Sequence, residues 1–308
     1  MAAYNAAAYL EDAVEAVRKQ DFADFSCRIV DDGSTDGTAQ LARRLTCEDS
    51  RFVVDEVVHG GQSTARNLGA SRLPVTDYVS FPDADDVWRP DALDILVEAA
   101  DGFDGVGAHA LGDWIDSDGI RFGDGEFAQW GRERFTVRRF KKIPLALDEP
   151  SDFDSLLWSC TVYPPGLWIL RRDIFDRIGG FDPSLSHYED WDLQLRASRL
   201  GDFAFSNKTI VYYRQHPTQM TAKDGGDHAI TRLRDKTVRS PLNTPHQRLE
   251  ATRAWRAHEL RNAVKSARLI LEDSAHAVEH LLRTASSLVR SVLGPRWIHH
   301  HEGGSSAG

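Results

Sequence analysis

Five short segments of this chain combine residue types and spacings that do chemistry. The first is Ile29-Val30-Asp31-Asp32-Gly33-Ser34-Thr35-Asp36-Gly37-Thr38, two carboxylates between an apolar strand and a helix start. In open α/β sheets ligands bind beyond the carboxyl ends of the strands, where a carboxylate can accept from a base N–H or a ribose hydroxyl. The same residue types also serve simply as turn and N-cap residues. The second is Phe81-Pro82-Asp83-Ala84-Asp85-Asp86-Val87-Trp88, three acids within four residues. Like charges that close raise each other's pKa unless a cation neutralises them. Magnesium and manganese favour one or two carboxylates plus phosphate oxygens and water, so an Asp-x-Asp at a strand end suits a metal–diphosphate complex. A solvated acidic turn before the next helix explains the run equally well. An EF-hand does not fit, because the glycine of loop position six falls at Trp88.

The third segment is His187-Tyr188-Glu189-Asp190-Trp191-Asp192, at the start of a helix. Acids there are favoured by the helix dipole, and one of them can alternatively serve as a general base. The fourth, Gly60-Gly61-Gln62-Ser63-Thr64-Ala65-Arg66-Asn67, allows close backbone approach and offers an arginine to phosphate. It is not a P-loop, since no Gly-Lys-Ser/Thr follows. The fifth, Tyr212-Tyr213-Arg214-Gln215-His216, delivers a histidine at a strand end, where a structural role competes with a ligand role.

The elements that must position these segments alternate. Helices are expected at 9–20, from Thr35 or Asp36 to Leu45, at 62–72 and at 90–100. Strands are expected at 26–30, 52–58, 78–81 and 103–109. Such alternation implies an α/β fold with a mostly parallel sheet covered on both faces. Only Met1 to Tyr4 precede the turn at Asn5. The opening strand is therefore either very short or starts before the recorded sequence, and the second reading is favoured. Between 112 and 165 the period is lost, apart from a hairpin around Asp118–Gly119. This stretch, with Trp114, Trp130 and Trp158, reads as a mobile loop over a site. Helices at 171–178 and 188–200 and a strand at 210–213 follow. Residues 221–245 read as a linker, 246–298 as an amphipathic helical region interrupted near 272–273, and 299–308 as a disordered tail.

Composition removes several classes. The chain has 308 residues, 41% of them hydrophobic and 27% charged, enough for a sizeable core and against wholesale disorder. No run approaches the roughly 20 apolar residues of a membrane span. No basic-then-apolar leader pattern opens the sequence. Three cysteines make no paired framework and no CxxC, which fits a reducing, cytoplasmic setting. Residues 1–228 carry 24 Lys and Arg against 40 Asp and Glu, whereas residues 229–300 carry 13 against 6. An acidic body argues against a nucleic-acid groove and permits a site in which carboxylates surround a cation.

Taken together and in this order, the segments resemble the family 2 glycosyltransferases, which have the GT-A fold. The resemblance rests on Tyr4-Asn5 before the first helix, Val30 to Thr38, Gly61 to Asn67, Asp83-Ala84-Asp85-Asp86, Arg172 to Phe181 with Gly179-Gly180-Phe181-Asp182, Glu189 to Leu193, and Tyr213 to His216. It covers about residues 1–220, with a nucleotide-sugar half to about 110 and an acceptor half beyond. Each motif is weak alone, but the set in register is specific. The resemblance implies an inverting transfer of a sugar from a nucleotide-diphosphate donor, a UDP-sugar, to a hydroxyl of a saccharide or lipid-linked acceptor. It places Tyr4, Asn5, Asp31 and Asp32 at the nucleoside, Arg66 near ribose or diphosphate, and Asp83 at ribose or metal. Asp85 and His216 would meet Mn²⁺ or Mg²⁺, and Asp190 would be the catalytic base. Glu189 and Trp191 are expected at the acceptor only because they adjoin that base in sequence. Pro82 departs from the aliphatic residue usual in relatives. The competing expectation is a non-catalytic nucleotide-sugar-binding module that keeps the fold.

In residues 249–292 apolar residues recur at helical steps among arginines. That pattern suits a helix pair packed on the catalytic domain or on a second subunit. It equally suits a peripheral contact with anionic lipid at the inner face of a membrane.

Overall fold

The computed structural model describes residues 1–271 apart from 124, 126–128, 130, 139–140, 159, 161–162 and 221–225. Two sheets share the work. The first is parallel, in the order β1 (Ala2–Ala3), β2 (Cys27–Asp31), β3 (Phe52–Glu56). The opening strand is thus present and two residues long, with Ala2 against Val30 and Ala3 against Asp31. A bridge from Ala2 to Asp83 joins it to the acidic run. Ile29 and Val30 are fully buried, as expected of an inner strand covered on both faces.

The second sheet has five strands in the order β4 (Tyr78–Ser80), β9 (Trp168–Arg171), β6 (Gly107–Ile115), β10 (Phe203–Arg214), β5 (Val87–Trp88). Here only β6 and β10 run parallel; β9 is antiparallel to both β4 and β6, and β5 is antiparallel to β10. Parallel pairing therefore dominates the first half of the α/β fold, and the second half is mixed. Strand β6 begins four residues later than its expected start and runs on to Ile115, because pairing with β10 holds it.

The helices of the first half are α1 (Leu10–Arg18), α2 (Thr38–Thr46), α3 (Gln62–Ser71) and α4 (Ala92–Asp101). Helix α1 buries Leu10, Ala13, Val14 and Val17 on one face, and it has Glu11 and Asp12 in its first turn and Arg18 in its last. The N-cap of α2 is Gly37, at φ +91°, and Asp36 just before it accepts from the Thr38 N–H through Oδ1 at 3.0 Å.

The described part of the 112–165 stretch holds more regular structure than its lack of period suggests. Asp116 N–H donates to the Ile120 carbonyl, and Gly119, at φ +80°, makes the expected turn. A hairpin of β7 (Phe135–Arg138) and β8 (Lys141–Pro144) precedes α5 (Phe153–Trp158). Buried Arg134 ties the segment together, donating to the carbonyls of Ala146 and Glu149 and to the Ser151 hydroxyl under the Phe205 ring. Burial drives its pKa down to about 10. Trp114 and Trp158 pack in the core clusters, and Trp130 lies outside the described residues.

Helices α6 (Arg172–Arg177) and α7 (Glu189–Ala197) complete the second half. The expected linker is corrected: residues 226–239 form α8 (Gly226–Arg239), and α9 (Pro245–Leu271) follows. Gly226 is the first residue of α8, and the helix is held to the body because Leu233 is fully buried and Lys236 pairs with Asp182 at 2.5 Å and Asp192 at 2.8 Å. Ala251, Ala254, Trp255 and Ala257 of α9 join the same core as Leu193 and Leu195 of α7. The described part of the C-terminal region is thus packed on the α/β body. The interruption near 272–273, the rest of the helical region and the tail lie outside the described residues.

Candidate active site

Strand β2 ends at Asp31, and its two carboxylates have different surroundings. Asp32 is saturated: its oxygens accept from the Gly60 N–H at 2.7 Å and the Gly61 N–H at 2.9 Å. Gly61, at φ +87°, gives the turn the backbone conformation that aims both donors at one carboxylate. Asp31 accepts from the Ser34 N–H through Oδ2 at 3.1 Å, and its Oδ1 is buried with no partner among the described residues. An unpaired buried acceptor costs free energy and is a ready place for a ligand N–H. Tyr4 stacks on His59 with ring centroids 4.4 Å apart. The Asn5 side chain accepts from the Thr35 N–H at 2.9 Å, which ties the loop after β2 to the chain end after β1.

The acidic run separates into three jobs. Asp83 pairs with Arg66 at 2.7 Å. Asp85 meets His216 at 3.0 Å, Nε2 to Oδ2. Asp86 accepts from the Arg214 backbone N–H at 3.0 Å. Burial, then the Asp85 charge, raises the Asp86 carboxyl well above the usual range. Asp83 is raised in the same direction by burial, against the pull of Arg66. The geometry follows from β5, which pairs with β10 and so brings the residues before Val87 beside the residues after Tyr212. Arg214, buried at 2% exposure, locks this junction by donating to the Asp85 carbonyl and pairing with Asp12 of α1. His216 is held from behind by Tyr9, ring to ring at 4.5 Å.

Helix α7 brings the third acidic segment to the same place. Arg66, itself buried, reaches Asp83 with one terminal nitrogen and Glu189 with the other, each at 2.7 Å. Gln62 adds a hydrogen bond to Glu189 at 2.5 Å. Helix α3 thereby bridges the two halves. A second bridge is Asn67, whose side chain accepts from the Phe181 N–H and donates to the Phe181 carbonyl, both at 2.8 Å. A Cβ on Gly180 would stand 2.5 Å from the Asn67 oxygen, so the Gly179-Gly180 turn must be bare for this docking. Asp190 accepts from the Trp191 N–H at 2.7 Å. Burial, then the Glu189 charge, pushes its pKa up to about 7.

The structure brings Asp83, Asp85, His216, Arg66, Glu189 and Asp190 together through this network. Glu189 and Trp191, expected at the acceptor, each have partners within the chain. Glu189 is occupied by Arg66 and Gln62. The Trp191 indole N–H donates to the Leu156 carbonyl at 2.7 Å, and its ring packs on Trp255 at 5.6 Å. Arg66 likewise spends its terminal nitrogens on two carboxylates. Three participants had no site role in the sequence reading. Asp86 and Arg214 lay inside quoted segments without a role. Tyr163, whose phenol is raised by burial and by Tyr213, Asp190 and Asp86, came from the stretch without period and had no signal.

The family model for glycosyl transferase family 2 matches residues 1–179. The chain belongs to this family. An uncharacterized glycosyltransferase of Rickettsia typhi is 25% identical over 221 residues, covering 71% of this chain and 63% of the relative. The succinoglycan biosynthesis protein ExoW of Rhizobium meliloti is 29% identical over 175 residues, 55% of this chain and 52% of ExoW. The chain thus spans less than two thirds of the length of these relatives. Among solved structures, S. aureus TarS 1-349 in complex with UDP-GlcNAc superposes with a TM-score of 0.61 at 16% identity, covering 94% of this chain and 80% of that one. The mannosyltransferase PcManGT of Pyrobaculum calidifontis, in complex with GDP-Man and Mn²⁺, gives 0.55 at 18% identity over 95% and 83%. These likenesses establish the GT-A fold for this family 2 glycosyltransferase. They leave the roles of its residues to the geometry. Among its described residues no helix is long and apolar enough to cross a membrane.

Proposed function

We propose that this chain transfers a sugar from a uridine diphosphate donor to an acceptor hydroxyl, with inversion, by a single displacement in which Asp190 takes the proton. The observation that carries this is the Arg66 bridge. It sets a carboxyl that titrates near neutrality, Asp190, in one buried charge network with the Asp-x-Asp run. A general base is most effective when its pKa lies near the working pH and its proton source is within reach.

Asp31 Oδ1 is the group suited to a base N–H, because Asp32 is filled by the glycine turn. Tyr4, half exposed beside it, offers a flat ring to the base. Among the described residues no group of three or more His, Cys, Asp or Glu forms a closed metal cage. The Asp85 and His216 pair is instead an open oxygen–nitrogen donor set with room for other ligands, and it fits Mn²⁺ or Mg²⁺ completed by diphosphate oxygens and water. Such an ion would supply neutralisation of the charge that builds on the leaving diphosphate. The anomeric carbon gains oxocarbenium character, as in glycoside hydrolysis, and the acceptor hydroxyl attacks from the face opposite the leaving group. Asp190 accepts the hydroxyl proton. One base and one displacement leave no covalent intermediate, so configuration inverts. TarS and PcManGT with their bound nucleotide sugars support this class of donor. ExoW, a succinoglycan biosynthesis protein, supports a place in saccharide assembly.

A panel of UDP- and GDP-sugars with Mn²⁺, read by thermal shift, tests the reading, because a ligand that binds only the native state raises its apparent stability. One UDP-sugar should stabilise the chain and release UDP on incubation. No stabilisation by any donor would overturn the proposal. Stabilisation without UDP release, with acceptor saccharides present, would point to the non-catalytic module.

A further inference from the structure

A groove of about 340 Å³ opens at the β5 edge of the five-stranded sheet, lined by Arg89, Asp91, Arg121, Lys208, Thr209 and Tyr212. None of these residues belongs to the site above. Three cationic side chains converge there. Arg89 meets both oxygens of Asp91 at 3.0 Å, and Arg121 pairs with buried Asp113. Lys208 is exposed, acts on Asp91 only through space and forms no ion pair among the described residues. Two of the three positive charges are thus balanced and one is not.

The strand that carries Lys208 is irregular in a directed way. Between Phe205, which faces His109, and Val211, which faces Gly112, β10 advances six residues while β6 advances three. Bulges of this kind re-aim side chains and are conspicuous beside functional sites. Arg132 braces the bulge through Asn207 at 2.8 Å. Its effect is to put Lys208 and Thr209 beside Arg89 and above Tyr212. Tyr212 also lines the groove, with the Arg121 guanidinium 5.6 Å from its ring centroid.

We propose that this groove is a second carbohydrate subsite that takes an acidic sugar unit, with Lys208 and Arg121 meeting its charge and Tyr212 meeting the ring. The saccharide part of the proposal rests on the glycosyltransferase reading. The charge part rests on the groove alone. Guanidinium forks suit carboxylate and phosphate, and a tyrosine face suits the apolar side of a sugar ring. The volume is at the lower end of ligand pockets, which fits one sugar unit rather than several. The chain from Tyr212 to His216 spans at most about 13 Å. A saccharide that leaves the reaction centre can therefore reach the groove within a few units.

The test is titration calorimetry on the full chain at low salt, with three probes: tri-galacturonic acid, glucose 6-phosphate and maltotriose. At least one acidic probe should bind and weaken as salt rises, and maltotriose should not bind. Whichever acidic probe binds tells carboxylate from phosphate. Lys208→Gln should weaken it about tenfold, and Lys208→Arg should restore most of it. The UDP and Mn²⁺ thermal shift should be the same in Lys208→Gln as in the unaltered chain, which shows that fold and donor site are intact. Failure of both acidic probes, equal binding by Lys208→Gln, or equal binding of maltotriose would overturn the subsite. A chain that binds an acidic probe but gains no stability from UDP would sink the donor reading and leave the groove result standing.

Discussion

The two sides of the site hold their carboxylates by different means. On the proposed nucleotide side, two backbone N–H groups of a glycine turn hold Asp32, and one from its own loop holds Asp31 by a single oxygen. On the base side, Asp190 has one backbone donor and is crowded by Glu189 and Asp83, with Arg66 as the shared counter-charge. Backbone donors fix a carboxylate in place to bind. Burial beside other carboxylates makes one able to take up a proton. The same residue type thus sits in two different surroundings, and the two proposed roles follow that difference.

The hardest blow to this contrast is Asp190→Asn. Loss of a general base should lower transfer by roughly a hundred- to ten-thousandfold while UDP binding, read by thermal shift, is kept. Full transfer by the variant would end the assignment. The same change has a stability consequence with a definite sign. Asp190 ionises near 3.9 in an unfolded chain and about 7 in the folded one. Between those values the folded state holds the extra proton, so the stability linked to it is present below about 4 and lost as pH rises through about 7. Asp190→Asn should therefore resist urea better than the parent at pH 8 and lose that advantage toward pH 4.

Asp85→Ala should come next. It removes the open donor pair with His216, so Mn²⁺ should no longer enhance stabilisation by UDP. An unchanged Mn²⁺ response would detach the metal from this run. Trp255→Ala tests whether α9 belongs to the base side. It should cost about 3–5 kcal/mol of stability in denaturant, as for other buried Trp truncations, and lower turnover more than donor binding, because Trp191 beside the base loses its packing partner.

The nucleotide side gives a smaller and sharper test. Asp31→Asn should weaken UDP binding about tenfold with the fold intact, because its free oxygen is the one offered to the base. Asp32→Asn should instead loosen the Gly60–Gly61 turn and lower thermal stability. The reverse pattern would exchange the two roles. The smallest change is Glu189→Gln. Removing that neighbouring charge lowers the Asp190 pKa, so the acidic limb of the rate profile should move to lower pH. A limb that stays in place would mean that burial alone sets the base.

Much of the first half was legible because local rules and tertiary structure agree there. Periodic apolar residues in α1, the Asp36-Gly37 turn before α2 and the apolar run of β2 each point to one element. Legibility failed where side chains rather than period organise the chain. Arg134 holds the 132–151 stretch through three acceptors, and such a knot leaves no repeat in the sequence. The 226–239 helix was hidden because its opening glycine and its charges read as tether, whereas burial of Leu233 and the two ion pairs of Lys236 decide for helix. Trp191 belongs to the same class of residue: its neighbour in sequence is the proposed base, Asp190, and its neighbour in space is Trp255, from 64 positions further along.

The sequence by itself determined the kinds of group available: paired aspartates after a buried strand, an Asp-x-Asp run, an acidic helix start and a histidine at a strand end. Those depend on residue type and short-range order, which one-dimensional pattern carries. Only the tertiary structure decided which carboxylate is filled and which is free, which is paired and which is crowded. These follow from contacts between residues as far apart as Arg66 and Glu189. Partners that meet only in the fold set the solvation and charge on which each role depends.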